Sequence, residues 1–136
     1  MATVRMVEYE NAKPEVRAVY DDIMRSKGIG RVPNFWKVLG SHPPLLRDVW
    51  ESLKATMVPG RLDGLTKELI ALAVSATNAC EYCINSHTAA ARKLGMDDEM
   101  LGELLAVVGV FNRTNSLADA YQVEVDEATR AAVKGA

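Results

Sequence analysis

A spacing of three or four residues between apolar side chains runs along almost the whole sequence, and it limits this chain to a helical fold. Strand signals are nearly absent, because no run of alternating apolar and polar residues lies between turn residues. The pattern is interrupted mostly by proline and glycine, which begin or end helices. The sequence therefore predicts an all-α domain of six or seven helices.

Proline, glycine and capping residues mark where the individual helices begin and end. Pro14 fits the first turn of a helix that Gly28 ends, so the first helix is predicted over residues 14–27. Gly95 fits the end of a later helix, and Asp97 fits the N-terminal cap of the next one. The other helices are predicted at 33–39, from 43 onward, at 65–77, 80–94 and 97–111, with a break at 112–116 and two short helices after it.

The composition fits a single domain over residues 1–136. Hydrophobic residues make up 49% of the chain, enough for a core without support from a metal or a disulfide. The formal net charge is only -2, so neither a nucleic acid nor a membrane is expected as a partner. Charged residues near the N-terminus argue against a secretory signal, and the apolar segments fall short of the roughly 20 residues that cross a bilayer. We therefore expect a soluble, cytoplasmic protein.

The predicted helix that follows Asp97 is apolar on almost every side. Its apolar residues are Leu101, Leu104, Leu105, Val107, Val108, Val110 and Phe111. A helix that is apolar all round is normally buried. Because so small a domain offers little to cover it, another copy of the chain is the expected cover, in a homo-oligomer.

The chemistry of the chain is predicted to lie at its two cysteines. Cys80 and Cys83 are three positions apart, so a disulfide between them would close almost no loop and add little stability. In a reducing compartment such a pair is more often redox-active or metal-binding. On a helix that starts at Cys80, Cys83 lies about 60 degrees and His87 about 20 degrees away from it around the axis. His87 can then take the thiol proton of Cys83, one turn away.

The start of the predicted helix, the second cysteine and Glu68 each add to this predicted chemistry. At a helix start, free backbone amides and the positive end of the dipole stabilise a thiolate by up to about 2 kcal/mol. A sulfenic acid formed on one sulfur can then condense with the other before it oxidises further. Glu68 lies among same-face neighbours that include no basic residue. We hypothesise that Glu68 relays protons toward His87.

Residues 65–101, with Glu68, Cys80, Cys83 and His87 at these spacings, resemble the alkyl hydroperoxidase D family within the carboxymuconolactone decarboxylase-like superfamily. Residues 32–46 resemble the peroxidase-related branch of that family, so the resemblance covers about residues 30–111. It implies an AhpD-like helical domain built around an antiparallel helix pair that carries the CxxC motif. It also implies that Cys83 attacks a hydroperoxide or a partner disulfide, that Cys80 resolves the product, and that His87 and Glu68 move protons.

By the same resemblance, the chain would be an antioxidant thiol peroxidase or a dithiol-disulfide oxidoreductase that needs no bound cofactor or metal. Its partners would be a hydroperoxide substrate and a thiol reductant or redox partner protein, and its assembly a trimer or a hexamer. The sequence departs from the best-studied members at Tyr82, where they carry a second histidine. On the helical wheel Tyr82 points away from Cys80, so it is not expected to replace that histidine as a base.

Three other interpretations of the same residues stay open. The four side chains Glu68, Cys80, Cys83 and His87 are enough to ligate zinc in a metal-stabilised interaction module. The two cysteines could instead be an inert buried pair, with His87 as a core histidine. A cofactor-free lactone decarboxylase, like the other branch of the superfamily, would work without the cysteine pair.

Overall fold

The computed structural model describes residues 1–135, which divide into two compact units, residues 1–58 and residues from 59 onward. This division reflects which residues pack together within each segment. It does not test the prediction of a single domain over residues 1–136, which stays a prediction. Within the described residues there are seven α-helices, one short 3-10 helix and no strand. The prediction of an all-α fold with six or seven helices is confirmed. The α-helices are α1 Pro14–Lys27, α2 Asn34–Leu39, α3 Pro43–Met57, α4 Gly64–Thr77, α5 Glu81–Lys93, α6 Asp98–Ala120 and α7 Glu127–Lys134.

The helix ends follow the local signals in the sequence. Pro14 occupies the first turn of α1, and Gly28 ends that helix in the left-handed conformation with a φ of 61°. The predicted bounds of this helix are therefore confirmed. Asp63 caps α4 by accepting a hydrogen bond from the Thr66 amide, and Asp97 caps α6 by accepting one from Met100.

The first unit is built around an aromatic core from α1, α2 and α3. Trp36 and Trp50 meet edge to face with ring centroids 5.4 Å apart, and the buried Tyr20 hydroxyl lies 3.0 Å from the carbonyl oxygen of Val7. The buried side chains are Ala12, Val16, Tyr20, Ile23, Val32, Trp36, Leu46 and Trp50. This core fixes the three helices of the unit and uses both tryptophans of the chain.

Asp22 joins α1 to α3 at the edge of this core. Its carboxylate accepts hydrogen bonds from Lys54 Nζ at 2.8 Å and from the Trp50 indole at 2.7 Å, and it also pairs with Arg25. The hydrogen bond from Lys54, then that from Trp50, lowers the pKa of Asp22 to about 2.

Protonating Asp22 is expected to destabilise the chain in acid. A carboxylate whose folded-state pKa is lowered contributes stability above its unfolded pKa, and this contribution is lost as the pH falls through the folded value. The free energy of unfolding should therefore fall more steeply between about pH 4 and about pH 2 in the wild type than in Asp22→Asn. Urea denaturation at a series of pH values measures this, with Asp48→Asn, an exposed carboxylate of the same unit, as the control. An unchanged slope in Asp22→Asn would contradict it.

In the second unit, α4 packs against both α5 and α6. The buried hydrophobic residues of the second unit are Leu72, Ala91 and Met96, and partly buried side chains surround them. The surrounding residues are Leu65, Leu69, Ile84, Met100, Leu101 and Leu104. This small core holds α4 and α5, the two helices that carry the predicted site.

The predicted break at residues 112–116 is wrong, because α6 runs without interruption to Ala120. Two of its polar side chains in this segment form hydrogen bonds within the helix or to α4. The Ser116 hydroxyl donates to the Asn112 carbonyl at 2.8 Å, and the Thr77 hydroxyl donates to the Asn112 side chain at 3.3 Å. Serine and asparagine favour a break when they compete with the helix for backbone groups, whereas here these bonds leave the helical hydrogen bonds in place.

The predicted burial of the apolar helix α6 by another copy of the chain stays a prediction. None of its 23 residues is buried in the single chain, although its N-terminal half packs on the core of the second unit. The exposed large hydrophobic side chains of α6 are Leu105, Val107, Val110, Phe111 and Leu117. Among the described residues no helix combines the length and apolar character needed to cross a membrane.

Candidate dithiol site

The predicted site lies at the junction between α4 and α5. The chain reverses direction over Asn78 and Ala79, and Ala79 adopts a left-handed conformation with a φ of 52°. The amide of Cys80 then donates to the carbonyl of Ser75 at 3.0 Å. This tight connection makes α4 and α5 a helical hairpin and places Cys80 directly at the start of α5.

Cys80 is the N-terminal cap of α5 and not its first residue. Its backbone is extended, with a φ of -87° and a ψ of 94°, and the helix begins at Glu81. The prediction of a helix from Cys80 is therefore wrong by one residue, and the wheel angles measured from Cys80 do not apply. The Cys80 sulfur instead accepts a hydrogen bond from the Cys83 amide at 3.4 Å, which gives it the role that serine or aspartate usually has at this position.

The hydrogen bonds at the cap set different acidities for the two thiols. The Cys83 thiol and then the Cys83 amide, both donating to the Cys80 sulfur, lower the pKa of Cys80. The same hydrogen bond to Cys80, together with burial, raises the pKa of Cys83. Both cysteines are half-buried free thiols, so the structure describes the reduced pair. Cys80 is consequently the sulfur that ionises first.

The second pair in the site is formed by Glu68 on α4 and His87 on α5. Oε2 of Glu68 lies 2.7 Å from Nδ1 of His87, and the two side chains are 17% and 25% exposed. Because a carboxylate only accepts hydrogen bonds, this contact places a proton on Nδ1. When the imidazole is neutral, Nε2 then carries a lone pair that can accept a proton from another group. The contact with Glu68 therefore orients the His87 ring.

The four predicted site residues come together as two hydrogen-bonded pairs on one helical hairpin. Glu68 contacts His87 across the hairpin, and Cys80 contacts Cys83 at its turn. His87 follows Cys83 by four residues within α5, so it lies one helical turn further along. This arrangement can ionise a thiol, move a proton to or from an imidazole, and close a disulfide.

Ser75 supports the site and was missed in the sequence. It is the one buried polar residue among those described, and its hydroxyl donates to the carbonyl of Ala71 at 2.7 Å. Its own carbonyl accepts the Cys80 amide. The signal in the sequence was a small polar residue on an otherwise apolar face of α4, five positions before the first cysteine.

Tyr82 lies beside the cysteine pair with its side chain 44% exposed. Its backbone amide adds a small lowering of the pKa of Cys80, so its backbone takes part in the site. As for metal binding, residues 1–135 contain no group of three or more His, Cys, Asp or Glu side chains arranged to hold a metal ion.

Comparison with known proteins identifies the family. The sequence model of the carboxymuconolactone decarboxylase family matches residues 43–125, which include the whole α4–α5 hairpin. The chain belongs to this family. Within it, the chain is similar to the crystal structure of the alkylhydroperoxidase AhpD core from Rhodospirillum rubrum, at 48% identity and a TM-score of 0.89. That likeness covers 95% of this chain and 97% of the other, and it confirms the predicted AhpD-like fold.

Curated relatives from the same family match over shorter segments. The alkyl hydroperoxide reductase Rv2159c of Mycobacterium tuberculosis is 31% identical over 83 residues, which are 61% of this chain and 24% of the relative. The alkyl hydroperoxide reductase AhpD of Streptomyces griseus is 41% identical over 56 residues, which are 41% of this chain and 32% of the relative. These matches thus span about a quarter to a third of the two curated relatives.

Proposed function

We propose that this carboxymuconolactone decarboxylase family member is a thiol peroxidase or dithiol-disulfide oxidoreductase that reduces hydroperoxides through Cys80 and Cys83. One observation carries the proposal: Cys80 caps a helix whose first turn holds a second free cysteine and whose next turn holds a histidine bonded to a carboxylate. The names of the relatives, alkyl hydroperoxide reductase and alkylhydroperoxidase, support the same class of reaction.

In the proposed reaction, Cys83 attacks the hydroperoxide. Its thiol proton passes to Nε2 of His87 as the sulfur bonds to the outer peroxide oxygen. The O–O bond breaks, and His87 returns the proton to the departing alkoxide, which leaves as an alcohol. Cys83 is now a sulfenic acid. Glu68 holds the imidazole in position and stabilises it while it carries the extra proton.

Cys80 then resolves the sulfenic acid. Its thiolate attacks the Cys83 sulfur, hydroxide leaves and takes up a proton as water, and an intramolecular disulfide forms. The low pKa of Cys80 suits this step, since the attacking sulfur must be ionised. Two electrons from a thiol reductant or a redox partner protein restore the dithiol. The cycle requires no bound cofactor.

The proposal is tested by following hydroperoxide consumption with dithiothreitol as reductant. We expect a rate that is proportional to protein concentration and well above the rate with dithiothreitol alone. Protein whose thiols have been alkylated with iodoacetamide is the control, and it should show only the background rate. A wild-type rate equal to that background would contradict the proposal.

A second candidate function follows from the family description, because the family is named for a lactone decarboxylase. That reaction would not need the cysteine pair. Decarboxylation of a carboxymuconolactone by the wild type, retained in a variant with both Cys80→Ser and Cys83→Ser, would favour it over the thiol chemistry.

We also propose that the chain forms a homo-oligomer, a trimer or a hexamer, in which copies cover the exposed face of α6. The supporting observation is that α6 exposes five large hydrophobic side chains, and contiguous exposed apolar surface marks protein–protein interfaces. Sedimentation analysis should therefore give a mass well above the 14.9 kDa of one chain. Replacing Val107 and Val110 with lysine should lower that mass. A wild-type mass equal to one chain would contradict the proposal.

We also propose a cytoplasmic location. It is supported by the cysteine pair three positions apart, which in a reducing compartment is more often redox-active or metal-binding.

A further inference from the structure

We propose that Ser75 is a positioning residue for the cysteine pair. Its buried hydroxyl sets the last turn of α4, and that turn holds Cys80 at the place from which its sulfur meets Cys83. The inference rests on the proposed dithiol function. It deepens that function by naming a residue outside the four predicted ones on which the geometry of the pair depends.

The backbone of Ser75 determines where Cys80 lies. The Cys80 amide donates to the Ser75 carbonyl at 3.0 Å, and Ala79 between them adopts the left-handed conformation. This is the hydrogen bond that closes a Schellman-type helix end. Cys80 therefore ends α4 with its amide and caps α5 with its sulfur, which accepts the Cys83 amide. A shift of the Ser75 carbonyl would move that sulfur with it.

The conformation of Ala79 depends on the hydrogen bonds around it. A φ of 52° is unfavourable for alanine, because its Cβ crowds the following carbonyl oxygen. Two bonds to α4 hold the turn in this conformation, one from the Ala79 amide to the Ala76 carbonyl at 3.2 Å and one from Cys80 to Ser75. The turn is therefore sensitive to the exact position of the last carbonyls of α4.

The side chain of Ser75 acts on those carbonyls. It is 7% exposed, and its hydroxyl donates to the Ala71 carbonyl at 2.7 Å. In an α-helix the same carbonyl also accepts the Ser75 amide, so Ala71 receives two donors. Back-bonding of this kind bends helices locally. The bend falls in the last turn of α4, directly before the cysteines.

Stability alone does not account for a serine at this position. In Ser75→Ala the Ala71 carbonyl keeps its helical bond, so no buried polar group is left unpaired, and alanine favours a helix more than serine does. Ser75 also lies two turns from Glu68 and within about 20 degrees of it around the axis of α4. It thus belongs to the face of α4 that carries the site.

The inference is tested by equilibrating the protein with reduced and oxidised glutathione. Glutathione disulfide forms a mixed disulfide with one cysteine and releases a reduced glutathione, and the second cysteine then displaces the other glutathione to close the intramolecular disulfide. The ratio of mixed to intramolecular disulfide, read by mass spectrometry, reports the effective concentration of one sulfur at the other.

In Ser75→Ala we expect this ratio to rise at least about tenfold, since a displacement of about 1 Å can cost that much or more. The urea midpoint should equal that of the wild type. Ser116→Ala is the matched control, because Ser116 bonds back to the Asn112 carbonyl at 2.8 Å in α6, a helix without predicted site residues. It should leave both values unchanged. An unchanged ratio in Ser75→Ala, or one that changes only together with a lower urea midpoint, would overturn the inference.

A second measurement uses the reduced wild type, so it does not depend on how a variant folds. Hydrogen exchange followed by NMR should show the Cys80 amide protected at least about tenfold more than the Glu81 amide, which has no partner within α5 because it begins that helix. Equal protection would overturn the inference. Neither measurement involves a hydroperoxide, so a failed peroxidase test and a failed positioning role remain distinguishable.

Discussion

Replacing Cys83 with serine is expected to reduce hydroperoxide turnover to the rate of the reductant alone, a drop of at least about 10³-fold. Serine has nearly the same size, but its hydroxyl neither reduces a peroxide nor forms a disulfide. The backbone amide of residue 83, which donates to the Cys80 sulfur, is retained, so α5 should begin at the same residue. Hydroperoxide consumption with dithiothreitol measures the loss, and circular dichroism verifies that helix content is unchanged.

Cys80→Ser is the matched variant, because it removes the resolving sulfur and leaves the proposed attacking one. It should still react once with hydroperoxide and hold Cys83 as a sulfenic acid, which dimedone labels. It should not form the intramolecular disulfide. Turnover by Cys83→Ser at the wild-type rate, or a dimedone adduct found on Cys80 in that variant, would contradict the assigned roles.

His87→Asn is expected to slow oxidation of the pair by hydroperoxide about 10²-fold to 10⁴-fold, the range that proton transfer by a positioned base contributes. Asparagine fits the same space and can still bond to Glu68, but it cannot take the Cys83 proton. Single-turnover loss of free thiols, followed over a series of pH values, measures the effect.

Glu68→Gln tests the orienting role of the carboxylate. Glutamine keeps the length of the side chain but removes the charge that stabilises the imidazole while it carries the thiol proton, so oxidation should slow by about tenfold or more. Ser86→Ala, an exposed change next to His87 on α5, is the control and should leave the rate unchanged. A wild-type rate in both His87→Asn and Glu68→Gln would rule out the proton transfer.

Most of the helices could be predicted from the sequence because their ends are set by nearby residues. Pro14 and Gly28 fix α1 through their own backbone preferences, and Asp63 and Asp97 bond to amides three residues away. The break predicted near residue 112 depended on where polar side chains find their partners. Those partners lie partly on α4, and local sequence does not report them.

Part of the site could be predicted from the sequence, because some of its geometry is set within one helix. The spacing from Cys83 to His87 lies within one helix, so periodicity places the two residues one turn apart. The 2.7 Å contact between Glu68 and His87 joins two helices. It depends on the turn at Ala79 and on how the two helices of the hairpin pack, which the spacing of residues does not report. Cys80 was placed in the helix, although its extended backbone makes it the cap. At the cap the Cys80 sulfur accepts a hydrogen bond from the Cys83 amide, which, after the Cys83 thiol, lowers the pKa of Cys80.

The most direct measurement is the number of free thiols per chain before and after one equivalent of hydroperoxide. The dithiol cycle predicts a fall from two free thiols to none, with mass spectrometry locating a disulfide between Cys80 and Cys83 within one chain. Two free thiols that persist after the hydroperoxide has been added would contradict the account.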